Sequence, residues 1–263
     1  MTAEDIPVFE ELPEADEGPT RIMLIRHARS AWNALSLDGR ALAASVLAEL
    51  GDVPDSEIPL TSTGITEALQ TGRKLFLVAT LGKWDIADAI LYRSDTTRTR
   101  GTLREILNGY YEMAGCDIPD TIKAGVKVDD GVAERDFGET KSWSIERILA
   151  TYPHFEDERT RDGPFFFRPP LGKSMEDVGI TQVRPWLLRV MEQHKDKTVI
   201  AVTHGGPIHV ARAILERWTR KEANERLEPS PPNCSVTTYI HSPQEKRYVL
   251  SGLPEQVYTR IAV

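Results

Sequence analysis

The chain has 263 residues, 40% of them hydrophobic and 27% charged, with a net charge of -8. That length suits one large α/β domain, or one domain with an inserted cap, and leaves enough apolar residues for a sizeable core. The acidic balance argues against a nucleic-acid partner, because such a surface repels a phosphate backbone on average. Any anion site in this chain has to be a local cationic hole.

Residues 1–20 are acidic and proline-containing up to Pro19, and they lack the basic start and apolar core of a signal peptide. They read as a flexible, solvated N-terminal arm, with the domain itself over 21–263. No run approaches the ~18 apolar residues of a membrane helix, so no membrane partner is expected. Cys116 and Cys234 form no CxxC or Cys/His cluster. They read as reduced, mostly buried thiols of a cytoplasmic protein.

Residues 21–25 form a continuous apolar run, the pattern of a central strand buried on both faces. The stretch Ala41–Leu47 is helix-like and is closed by Gly51, Pro54 and Pro59. After Leu60, residues Ile65, Ala68, Leu69, Gly72 and Leu75 recur at helical spacing, with Ser62 or Thr63 as N-cap. A second strand is predicted over 86–92. A helix carrying Arg98, Thr102, Leu103 and Ile106 follows it, capped by Ser94 or Asp95. Val126–Val128 suits a short edge strand, 142–160 a charged helical stretch, and Pro164–Pro170 an aromatic, proline-rich loop. Further on, a helix is predicted over 174–194, a strand over 198–203 and a helix over 207–218. Residues 235–240 and 247–250 alternate like a terminal β-hairpin. This order predicts a three-layer α/β/α sandwich with a mostly parallel central sheet. Stretches at about 36–58 and 140–172 are long enough to build a cap.

The chemistry gathers at two strand ends. Arg26-His27-Ala28-Arg29-Ser30 follows the first strand, and Thr203-His204-Gly205-Gly206 closes the one over 198–203. In open α/β sheets the carboxyl edge is where ligands bind. If these strands are neighbours, two imidazoles face one pocket lined with arginine. That set suits a phosphoryl group: a neutral imidazole is a nucleophile, and guanidinium forks match phosphate oxygens. Glycines at a helix start let backbone N–H groups approach an anion. His209, five residues past His204, would point elsewhere on a helix, and no metal-ligand spacing such as HExxH is present.

Arg26-His27-Ala28 with Asn33 resembles the signature of the histidine phosphatase superfamily, the phosphoglycerate mutase-like proteins. Leu60-Thr61-x-x-Gly64, Ser94-Asp95-x-x-Arg98-x-x-x-Thr102, Glu134-Arg135-x-Phe137-Gly138 and Val202-Thr203-His204-Gly205-Gly206 resemble its later landmarks, in order. The resemblance implies that His27 is the nucleophile, with Arg26, Arg98 and His204 as phosphate ligands. It makes Glu134 the proton donor, with Glu139 as fallback. Asn33, Ser30 and Gly205 would add donors to the phosphate. Arg135 would either bind substrate or pair with an acid.

The implied function is a metal-independent phosphatase, needing no cofactor, acting on a small phosphorylated substrate or a phosphoprotein, as a monomer or homodimer. A cofactor-dependent phosphoglycerate mutase and a non-catalytic phospho-ligand-binding member are the alternatives. Two positions depart from the family pattern. Ala28 stands where glycine is common, and Lys173 stands in Gly172-Lys173-Ser174, where many members have Gly-Glu-Ser.

Overall fold

A computed structural model describes residues 3–14, 18–35, 53–143 and 145–251. The helix-like stretch at 41–47, and with it most of the expected insertion at 36–58, lies outside these residues.

The described chain runs β1 (Arg21–Arg26), α1 (Ala31–Leu35), α2 (Ser62–Gly82), β2 (Ile90–Arg93), α3 (Thr97–Ala114), α4 (Asp120–Gly125) and β3 (Lys127–Val128). It continues with α5 (Ile145–Thr151), α6 (Phe155–Asp162), α7 (Met175–Val178), α8 (Arg184–Gln193), β4 (Thr198–Thr203) and α9 (Gly205–Leu215). It closes with α10 (Arg220–Glu225), β5 (Val236–Ser242) and β6 (Arg247–Leu250).

One six-stranded sheet has the order β3-β2-β4-β1-β5-β6. The pairs β1–β4, β2–β4 and β2–β3 are parallel, whereas the terminal hairpin adds antiparallel β1–β5 and β5–β6. The sheet is the expected α/β one, parallel at its centre. The apolar run in β1 serves two cores by alternation. Ile22 and Leu24 pack with Trp186, Leu187 and Ile208 on one face. Met23 and Ile25 pack with Ala68, Leu75 and Ile106 on the other. This is the reason the strand reads as unbroken hydrophobic sequence.

Several local expectations change. Residues 86–88 form a 3-10 turn instead of strand, because the Asp85 carboxylate accepts the Ala87 N–H at 2.9 Å and closes a turn there. The caps fall on Thr61 and Thr96, whose hydroxyls accept from Gly64 and Thr99. The helix over 174–194 contains a π-helical segment at Gly179–Val183. Pro185 has no N–H to give the preceding turn, so the register widens. Cys116 is exposed, although Cys234 is buried as expected.

The N-terminal segment is the largest correction. Over the described residues it is docked on the body and is not a solvated arm. Phe9 is 8% exposed, inside the core beside Val178 and Phe165. Val8 N–H donates to Trp218 O at 2.9 Å, and Pro7 bridges Thr219. Two of its acidic residues are paired with the body, Glu11 with Arg217 and Glu10 with Arg184.

Candidate active site

The parallel register of β1 and β4 pairs Arg26 with Thr203. The next residues, His27 and His204, therefore emerge side by side at the carboxyl edge. Their ring centroids are 5.1 Å apart in an edge-to-face arrangement, and both rings are buried. His27 Nδ1 lies 2.8 Å from Ala28 O. A carbonyl can only accept, so Nδ1 carries the proton and Nε2 keeps its lone pair. Burial above all, with the charges of Arg98 and Arg26 adding to it, pushes the His27 pKa down to about 3. The ring is thus neutral and is presented as a nucleophile. Ala28 is itself fully buried, with its N–H on Thr102 Oγ1 at 2.9 Å.

His204 Nε2 is 2.7 Å from Ser94 Oγ, and its Nδ1 is 3.8 Å from Glu134 Oε2. Ser94 thus orients the second imidazole, while Thr96 takes the capping position. Thr203 Oγ–H donates to Val132 O at 2.6 Å, which ties the segment carrying Glu134 to the end of β4. Glu134 Oε1 accepts the Arg135 N–H at 2.9 Å. Burial raises the Glu134 pKa, against the opposing pull of that N–H and of Arg98 and Arg135. A raised carboxyl is what a proton donor requires. A Cβ at Gly206 would stand 2.8 Å from Glu134 Oε1, so the start of α9 runs close beside the carboxylate. Glu139 is exposed and accepts the Tyr152 hydroxyl.

Arg26 donates from Nη1 to Ser230 Oγ at 3.3 Å and to Pro231 O, while its Nε is buried without a hydrogen-bond partner. A Cβ on Gly205 would lie 3.8 Å from that Nε, so the start of α9 and the guanidinium are close. Arg98 is buried and its charge reaches both His27 and Glu134, yet its terminal nitrogens are engaged by Asp55. Arg135 stacks on Phe137 with its Nε and Nη1 buried and without hydrogen-bond partners.

Asn33 Oδ1 accepts from Ser30 Oγ at 2.9 Å, from Ser30 N at 3.2 Å and from Asn233 Nδ2 at 3.3 Å. Three donors on the carbonyl oxygen fix the orientation of the amide. The Ser30 hydroxyl is committed to Asn33. Gly64 lets Thr61 grip the loop after His27, since a Cβ there would come 2.1 Å from Arg29 O. Lys173 Nζ turns to Thr181 Oγ1 at 3.4 Å. His209 is buried with neither ring nitrogen hydrogen-bonded, and it feels the charges of Arg212 and Arg26.

Sequence reasoning missed Asn233 and Asp55. Asn233 follows two prolines ahead of a hairpin, where an asparagine reads as turn chemistry.

The family model for the histidine phosphatase superfamily, branch 1, matches residues 22–253. The chain belongs to that superfamily. A curated relative, the phosphoglycerate mutase-like protein AT74H of Arabidopsis thaliana, is 29% identical over 217 residues, covering 76% of this chain. The match spans 66% of that relative, just under two thirds of its length. A 2,3-bisphosphoglycerate-dependent phosphoglycerate mutase of Bartonella tribocorum is 27% identical, over 76% of this chain and 84% of its own. Among solved structures, a mycobacterial glucosyl-3-phosphoglycerate phosphatase superposes with a TM-score of 0.59 at 20% identity, covering 88% of this chain and 97% of its own. That likeness concerns the fold. Among the described residues, no helix is long and apolar enough to cross a membrane.

Proposed function

We propose that this superfamily member is a metal-independent phosphatase that hydrolyses small phosphomonoesters through a phosphohistidine on His27. In the first step His27 Nε2 attacks phosphorus and the P–O bond to the alcohol breaks. Glu134 gives its proton to the departing oxygen. In the second step Glu134 takes a proton from water as the water attacks the phosphohistidine. Inorganic phosphate leaves and neutral His27 is restored. Arg26, Arg98, His204 and the Asn33 amide stabilise the charge on the transferring group. Gly205 gives the backbone room at the start of α9.

One observation carries this reading above the others: the His27 ring is locked with Nδ1–H on Ala28 O, so that Nε2 is its free lone pair, beside His204. The proposal takes the protein as cytoplasmic, and as a monomer or homodimer. The test is hydrolysis of p-nitrophenyl phosphate with EDTA present, across pH 5–8, beside His27→Ala. Turnover that survives chelation and disappears in the variant supports the reading. Full turnover in the variant contradicts it.

A second reading rests on Arg135, whose partnerless buried nitrogens suit a further anionic group on a substrate. A mutase has to retain a phosphorylated product long enough to re-phosphorylate it. Interconversion of 2- and 3-phosphoglycerate with a bisphosphate primer, accompanied by negligible hydrolysis, would replace the phosphatase reading.

A further inference from the structure

We propose that Asp55 is a built-in competitor for the phosphoryl site, so that a dianionic phosphoryl group displaces it from Arg98 and a singly charged anion does not. The inference rests on the proposed function and adds a selection rule to it.

Arg98 Nη2 donates to Asp55 Oδ2 at 3.0 Å, and Nη1 donates to the Asp55 backbone carbonyl. Asp55 thus takes both arms of the guanidinium fork, the geometry that two phosphoryl oxygens would use. The carboxylate is not at the rim of the site, because its charge acts on both His27 and Glu134. The Arg98 side chain is 6% exposed, but that of Asp55 is 29% exposed. The arginine is therefore fixed and the carboxylate has a way out.

The local chain fits such a part. Asp55 opens a single 3-10 turn, Asp55–Glu57, whose N-cap position is Pro54 and supplies no side-chain cap. The turn is anchored downstream, where Ile58 is buried and Leu60 bridges Ser30. Upstream, Val53 is exposed. The Ile58 N–H also donates to the Asp55 carbonyl at 3.4 Å, so the turn keeps that backbone in place and it is the side chain that has to swing.

A phosphomonoester near neutral pH carries about -1.5 to -2 charges and three acceptor oxygens. It offers Arg98 more than a carboxylate can, and it also reaches Arg26 and the histidines. A phosphodiester or a carboxylate brings one charge, the same as Asp55, and gains little by exchanging with it. A plain cationic pocket would accept such anions in proportion to their charge. With Asp55 in place they meet an occupied fork.

The experiment is calorimetric titration of the full chain with inorganic phosphate and, separately, dimethyl phosphate. Wild type is compared with Asp55→Asn, which keeps shape, and Asp55→Ala, with thermal melts confirming folding. Both variants are expected to bind phosphate roughly tenfold tighter, about what one charge-assisted hydrogen bond contributes. Dimethyl phosphate, weak on wild type, should gain more, so the ratio of the two affinities falls. Unchanged or weaker phosphate binding in both variants overturns the proposal and makes Asp55 a brace for Arg98. Phosphate binding by none of the three proteins counts against the phosphatase reading itself, and the inference falls with it.

Discussion

Asn233 donates an amide N–H to the His27 carbonyl at 2.8 Å, across 206 positions of sequence. Its second contact is Asn33 Oδ1 at 3.3 Å. The peptide joining His27 to Ala28 is thereby held at both ends, its oxygen by Asn233 and its N–H by the Thr102 hydroxyl. Ala28 O in turn fixes the His27 ring. The aim of the attacking nitrogen thus depends on a loop 206 positions further along the chain.

Asn233→Asp keeps this shape and removes both donors, setting carboxylate oxygens against two carbonyl oxygens. On p-nitrophenyl phosphate, kcat should fall about 10- to 100-fold, the range for a misaimed reacting group or a lost supporting contact. The lost hydrogen bonds should also lower Tm by a few degrees, which leaves the protein folded at the assay temperature. Steady-state kinetics beside a thermal melt checks this, and unaltered kcat would remove Asn233 from the account.

Glu134→Gln should discriminate between leaving groups. An alkyl phosphate needs its departing oxygen protonated, and its hydrolysis should drop about 100-fold or more. Nitrophenolate leaves as an anion and should be affected far less in its first step. The sign of the pH effect follows from the raised Glu134 pKa. Alkyl phosphate turnover should decline as pH rises through that value and the acid form is lost. His27, at about 3, adds no acid limb between pH 5 and 8. A pH–rate profile on both substrates, with wild type and variant, is the measurement.

Two buried neutral imidazoles should make the protein acid-sensitive. His27 is held down to about 3, and burial holds His209 to about 4. Below the ordinary histidine value of about 6.5, the unfolded chain binds protons that the native state refuses. Stability is therefore complete above that value and is lost as pH falls toward these folded pKa values. His209→Leu removes one such group, and its ring nitrogens have no partners to lose. Denaturant unfolding at neutral pH should change by no more than about 1 kcal/mol. The loss between pH 6 and 4 should be shallower than in wild type.

Phe9→Ala tests the docked N-terminal segment. The ring packs edge-on to Phe165, and a Cβ on Gly179 would stand 2.2 Å from it. Truncation should cost about 3 kcal/mol and lower Tm by several degrees. A change near zero would mean that the segment contributes nothing to the body.

The sheet was legible because β1 and β4 are buried on both faces and leave unbroken apolar runs, each ending in a histidine. The histidine pair followed once those runs were neighbours. What stayed hidden has particular causes. Ser94 suits a helix cap as well as a histidine partner, and the neighbouring Thr96 takes the cap in its place. Phe9 is one aromatic in an acidic segment, and a single apolar residue carries no periodicity. Asn233 and Asp55 act through contacts 200 and 43 residues away in sequence, and nothing local marks them. The π-segment before Pro185 is a register change that hydrophobic spacing does not report.

The central claim is that the phosphoryl group passes through His27. Rapid mixing of the protein with excess p-nitrophenyl phosphate, alkaline quenching and peptide mass spectrometry addresses it directly. The account predicts a phosphoryl adduct on the peptide carrying His27, stable in alkali, lost in acid and missing from His27→Ala. Turnover in wild type with no adduct at His27, or an adduct that persists elsewhere in the variant, would contradict it.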